Sequence, residues 1–208
     1  MKKNYDLRAS LTPFIPEKSL DEVVVLLQKY PIHLGLMAPR KGVFGDYRAP
    51  QKIKEFHKIT VNGDLNKYAF LITFLHEYAH LLVFVNHGPR AQAHGNEWKT
   101  HFRQLLQHFI HLEIFPDDIC FALQNYMIKI SASTASNPQL MRVLERYNTR
   151  KRPENELTVE QLPPKVRFQY NGELFEKGER LRKNFMCTRL SDGTKFRFSP
   201  VARVRFPL

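Results

Sequence analysis

His76-Glu77-Tyr78-Ala79-His80 spells H-E-x-x-H. Four positions make about one helical turn, so on a helix both imidazoles project from one face and can grip one metal ion. Glu77 directly follows the first histidine, and from there its carboxylate reaches a metal-bound water rather than the metal. Zinc suits such a site. Imidazole nitrogens bind it well, it has no redox chemistry, and it lowers the pKa of bound water to about 7. The flanks Phe70 to Leu75 and Leu81 to Phe84 are strongly apolar. A buried helix cannot bury His, Glu and His together without a partner, and one Zn2+ ion is the expected partner.

A third ligand must come from elsewhere. The metzincin pattern needs Gly at 83 and His at 86, where this chain has Val83 and Asn86. Downstream, His87, His94 and His101 are the histidine candidates, with Glu97 and Glu113 as carboxylate options. His87 falls just past the end of the helix, too far from His76 to close a site. His101 falls within an amphipathic stretch and reads as a solvated or core-edge residue. His94 stands at a loop-to-helix junction before Gly95, whose freedom is expected to turn the backbone so that the ring faces the first helix. The expected set is His76, His80 and His94. Three protein ligands leave a fourth position for water, which is the catalytic arrangement.

The surrounding elements can be read from period and punctuation. Leu20 to Tyr30 has helical apolar spacing and ends at Pro31. Ile32 to Leu36 and His57 to Val61 read as strands, and Phe44 to Arg48 can pair back. Asp64 or Asn66 can cap a helix running to about Val85, which His87-Gly88-Pro89 stops. Asn96 can cap the helix bearing Trp98, Phe102, Leu105, Leu106, Phe109 and Leu112. Further helices are expected from Pro116 to Ile130 and from Asn137 to Tyr147. Tyr68 to Val85 approaches membrane-spanning length, but His76, Glu77 and His80 at its centre favour the buried helix of a soluble domain. Ile59 to Val61 is either a sheet edge able to receive substrate as an added strand or an ordinary paired strand.

With these motifs in place, Leu75-His76-Glu77-Tyr78-Ala79-His80 followed by Ala93-His94-Gly95-Asn96-Glu97-Trp98 resembles the SprT-like metalloprotease domain, which pairs H-E-x-x-H with a downstream H-G-x-x-[WF]. The likeness runs from about Leu20 to Phe109 and takes in Gly45-Asp46-Tyr47. It implies zinc on His76, His80 and His94 and peptide-bond hydrolysis with Glu77 as general base. Eukaryotic relatives include Spartan, the DNA–protein crosslink protease, so a substrate that is a DNA-bound or DNA-crosslinked protein is also implied. Bacterial members often add a zinc ribbon, but here Cys187 alone stands where several cysteines are needed.

The 208 residues suffice for one domain plus a small appendage. The expected class is α+β: a zincin-like helical metalloprotease domain with a small sheet over 1–147, a Pro-rich polar linker over 148–164, and an antiparallel β module over 165–208 resembling a zinc ribbon without its cysteines. So small a module is expected to lean on the helical domain. Two cysteines, Cys120 and Cys187, exclude a disulfide framework and fit a reducing cytoplasm. Asp6, Arg8 and Pro13 interrupt any secretory leader.

Lys and Arg exceed Asp and Glu by 12, of which residues 140–208 supply 8. That excess points to a polyanion, with single-stranded DNA favoured over a membrane. Arg180, Arg182, Lys183, Arg189, Lys195 and Arg197, interleaved with Phe185, Phe196 and Phe198, are the candidate contacts. Strand alternation alone, with aromatics inward and cations outward, explains the same pattern. The rival to a protease is a nucleic-acid or transcription-complex binding protein whose zinc is structural. Glu77 argues against it, since a structural site needs no water-activating carboxylate.

Overall fold

The computed structural model describes residues 6–40, 42–52, 55–149 and 153–206. Its fold is mixed α+β, and the chain divides into two compact units. One comprises Met1–Thr134 and Val143–Asn148, the other Ala135–Arg142 and Thr149–Leu208.

The first unit opens with α1 (Leu7–Leu11) and α2 (Leu20–Lys29). A three-stranded sheet follows, made of β1 (Ile32–Met37), β2 (Gly45–Arg48) and β3 (His57–Asn62) in the order β1-β3-β2. β3 lies in the middle, parallel to β1 and antiparallel to β2. Its Ile59 and Val61 are fully buried. The strand at Ile59 to Val61 is therefore paired on both sides and cannot receive a further chain; among the described strands, the edges belong to β1 and β2.

α3 (Lys67–His87) carries the H-E-x-x-H turn. The Asn66 side chain caps it by accepting from the Ala69 N–H, and Gly88 ends it at φ 78° with its own N–H donating to the Phe84 carbonyl. The helix is long and apolar enough to cross a membrane. In this fold it packs instead against β2, β3 and α4 (Asn96–His111), with Phe70, Leu71, Phe74, Leu75, Tyr78, Ala79 and Leu81 buried. Covering an apolar helix on several sides removes the need for lipid. α5 (Asp117–Ile128) and α6 (Pro138–Glu145) complete the helices.

The second unit is a six-stranded antiparallel sheet in the order β4-β9-β5-β6-β7-β8. The strands are β4 (Glu156–Thr158), β5 (Arg167–Tyr170), β6 (Glu173–Arg180), β7 (Phe185–Arg189), β8 (Lys195–Phe198) and β9 (Arg203–Arg205). Asn171-Gly172, both at positive φ, turn β5 into β6, as an Asn-Gly hairpin requires. Within the stretch expected as a linker, β4 pairs with β9, and Val159 and Leu162 are buried beside Phe168, Phe175, Phe185, Cys187, Phe198 and Val204. The prolines hid this contribution, because short segments around them show no alternation long enough to read. With those residues added, the small sheet closes a core of its own. Cys187 is buried in that core, where burial pushes its thiol up.

Asn66 also donates to the Leu144 carbonyl and to Asn148, so its amide anchors the start of α3 at both ends. Asn66→Ala is expected to cost about 1–2 kcal/mol. The check is urea unfolding, with the midpoint lowered and the slope unchanged.

Candidate metal centre

α3 turns His76 and His80 toward the same side, and the loop before α4 brings His94 to them. The His80 and His94 Nε2 atoms are 3.0 Å apart, and those of His94 and His76 are 3.2 Å apart. One nitrogen from each ring lies within 4.8 Å of the other two. Among the described residues this is the cluster of His, Cys, Asp or Glu able to hold a metal ion. The spacing fits one. A tetrahedral zinc with nitrogens at about 2.0–2.1 Å holds its ligand atoms about 3.3 Å apart. Without a cation, three nitrogens this close would have to share too few protons among their lone pairs.

Burial also sets the protonation state. It pushes His76 down to about 3, with His80 and His94 adding to the effect. It pushes His80 down to about 4, helped by His94 and opposed by Asp46. His94 is lowered in the same direction, again by burial. Neutral rings at pH 7 offer lone pairs rather than charge, which is what a cation needs.

The His94 turn differs from the sequence expectation. Gly95 has an ordinary φ of -69°, and it is His94 itself that adopts φ 57°. A non-glycine residue there stores strain of about 1 kcal/mol or more and is found where the surroundings insist on a direction. Gly95 serves close packing: a Cβ would meet the Gln92 carbonyl oxygen at 3.0 Å and Glu97 at 3.1 Å. Gly95, not Asn96, is the N-cap of α4, and it has no side-chain cap bond.

Trp98 forms the wall of the site. Its indole N–H donates to the His76 carbonyl at 3.3 Å, and its ring centre lies 4.6 Å from His76, 4.6 Å from His94 and 5.4 Å from His80. Helical period marked Trp98 as core but did not show that its core neighbours would be the three histidines.

Glu77 is buried next to the cluster, and β2 is packed directly on it. A Cβ added at Gly45 would come within 2.6 Å of Glu77 Oε1. Burial, aided by the charge of Asp46 and opposed by that of Arg40, lifts the Glu77 carboxyl to about 8. Arg40 is held by hydrogen bonds to Asn62 and Thr60. The Tyr47 hydroxyl meets His57 Nδ1 at 2.9 Å while its ring lies parallel to that of His80, 6.4 Å away. Period alone does not reveal these four contributors, Arg40, Gly45, Asp46 and Tyr47, because neither a loop residue nor a short edge strand carries a signal about which helix it covers. Tyr78, inside the motif, points away, and its hydroxyl donates to the Leu26 carbonyl. His87 and His101 face each other at 5.6 Å outside the cluster.

The six cations of the second unit sort into different surroundings. Arg182, Lys183 and Arg197 line one cavity with Leu181 and Asn184. Arg180 lies over the Phe185 ring, and Lys195 is exposed on β8. Arg189 is held in ion pairs with Glu173 and Asp192 and lies over Phe196, so its charge is already matched.

Residues 32–120 match the model of the SprT-like family. No curated protein and no solved structure matches the chain.

His94→Ala is expected to lose the bound divalent ion, whereas Gly45→Ala is expected to keep it while displacing the Glu77 carboxylate. Elemental analysis of dialysed protein checks both.

Proposed function

We propose that the chain, whose residues 32–120 match the SprT-like family, is a zinc-dependent endopeptidase acting on proteins bound or crosslinked to DNA. The observation that carries the reading is the convergence of three neutral imidazole nitrogens beside a buried carboxylate. One zinc ion held by His76, His80 and His94 would polarise the scissile carbonyl and acidify the attacking water.

The remaining steps fall to the chain itself. Glu77 takes a proton from the water at its carboxylate as the new C–O bond forms, then returns it to the departing amine as the C–N bond breaks. Burial raises the Glu77 carboxyl, which favours its holding the proton between the two halves of that relay. Gly45 lets Glu77 sit against β2, since any larger residue would push it aside. Trp98 and Phe102 exclude water from the His76 side of the cluster. β2 is an edge strand, so an extended substrate can pair along it next to Glu77.

The basic excess of the last third of the chain supports the DNA part of the reading. A structural metal in a binding protein explains the histidines as well, but leaves the buried Glu77 without a task.

Glu77→Gln is expected to lower cleavage of an unfolded protein substrate by at least about a hundredfold while retaining one equivalent of zinc. Equal turnover in wild type and variant, measured with metal content alongside, refutes the peptidase and leaves the binding protein.

A further inference from the structure

Alternate side chains of β2 face α3. Gly45 packs on Glu77 and Thr73, and the Tyr47 ring lies beside His80. Asp46, between them, is in register with Thr60 and points to the other face of the sheet. Two successive inward positions of one short strand therefore serve the base and the second motif histidine.

Helical spacing directs His76 and His80 to one side, but it leaves each ring free to turn. The last torsion of a histidine side chain has a broad preference. A metal bond at Nε2 lies in the plane of the imidazole, so turning the ring swings the nitrogen off the ion. Something other than the helix must set that plane. The three rings are braced differently. His76 meets Trp98 and Phe102 edge-on, with ring centres 4.6 and 5.3 Å away. His94 meets Trp98 edge-on at 4.6 Å, and its backbone is held at φ 57°. Among the described residues, the aromatic neighbours of His80 outside the cluster run close to its own plane. Trp98 of α4 is 5.4 Å away at 29°, and Tyr47 of β2 is 6.4 Å away at 6°. Both distances fall in the range of offset stacking, which opposes rotation of the ring.

The Tyr47 ring is itself tethered. Its hydroxyl meets Nδ1 of His57 at 2.9 Å. His57 is buried on the central strand and packs edge-on to Phe84 at 5.7 Å and to Tyr30 at 6.3 Å. A buried imidazole nitrogen needs a partner, and the hydroxyl supplies one. None of the steps assigned to Glu77 or to zinc uses either residue. We infer that Tyr47 is a positioning residue for the metal centre: its ring, held in place by His57, sets the plane of His80 and with it the direction of Nε2. The inference rests on the zinc site of the function proposed above and adds a residue that acts through a ligand rather than on substrate.

The test uses the full chain and reads the metal rather than cleavage. Zinc affinity is measured by competition with a chromophoric chelator, and ligand geometry by the visible absorption of Co2+ put in place of zinc. Tyr47→Leu and Tyr47→Phe both delete the hydroxyl and both fill the space with carbon, but only Phe keeps a flat ring. Tyr47→Leu is expected to weaken zinc binding at least about tenfold and to change the Co2+ spectrum. Tyr47→Phe is expected to lose no more than about threefold and to keep the spectrum of the unsubstituted chain. If Tyr47→Leu does not fold, Tyr47→Met takes its place with the same expectation. Tyr147→Leu removes another hydrogen-bonded ring of the same unit, one that lies against Tyr68 and donates to Asp118. It is expected to lower the urea midpoint and to leave affinity and spectrum unchanged. Unaltered affinity and spectrum in Tyr47→Leu overturn the inference. So does a loss in Tyr47→Phe as large as that in Tyr47→Leu, or an equal loss in Tyr147→Leu. An unsubstituted chain that binds neither zinc nor Co2+ overturns the zinc reading and this inference with it, whereas binding that Tyr47→Leu leaves intact overturns this inference alone.

Discussion

Placing two histidines and a glutamate inside an apolar helix is the constraint on which the first unit depends. Uncompensated, each of these groups would cost several kcal/mol to remove from water. The fold answers by supplying complementary neighbours on every side of one turn of α3. His94 and Trp98 approach from the loop and helix that follow, and Gly45 and Asp46 from the strand that precedes. The same burial that makes the turn expensive also fixes its chemistry. It keeps the imidazoles neutral and raises the affinity of the carboxyl for a proton.

How much of this is readable in the sequence follows from how local each signal is. The His76/His80 pair is a spacing on a single helix, and helical geometry alone aligns it. His94 is within reach because few donors remain and one stands at a chain reversal, although the reversal itself has a different cause from the one its neighbour suggests. The freedom expected of Gly95 is in fact strain on His94. Gly45 and Arg40 lie beyond reach because their relation to Glu77 exists only after β2 has paired with β3 and both have packed on α3. Strand order is hidden for the same reason: β3 reads like any amphipathic strand, and only long-range pairing shows it to be central.

The second unit illustrates the opposite failure. Its hairpin turns and alternating strands are plain from Asn171-Gly172 onward. The segment before them looks like a connector because prolines break periodicity, yet it provides a strand and two buried apolar side chains. Charge, too, is only partly legible from sequence. The excess of lysine and arginine is a sum, whereas its meaning depends on which cations find acids. Among the described residues Arg189 does and Arg197 does not, and nothing in their sequence neighbourhoods distinguishes them.

His76 and His94 are separated by only 18 positions. Closing so short a segment costs little chain entropy, and contacts of low sequence separation form early and fast. Every side chain placed around the cluster, from Arg40 to Phe102, lies in the first half of the polypeptide. During synthesis from the N-terminus, the whole of that histidine cluster and its surroundings is therefore available to assemble before the sheet-forming C-terminal third has been translated.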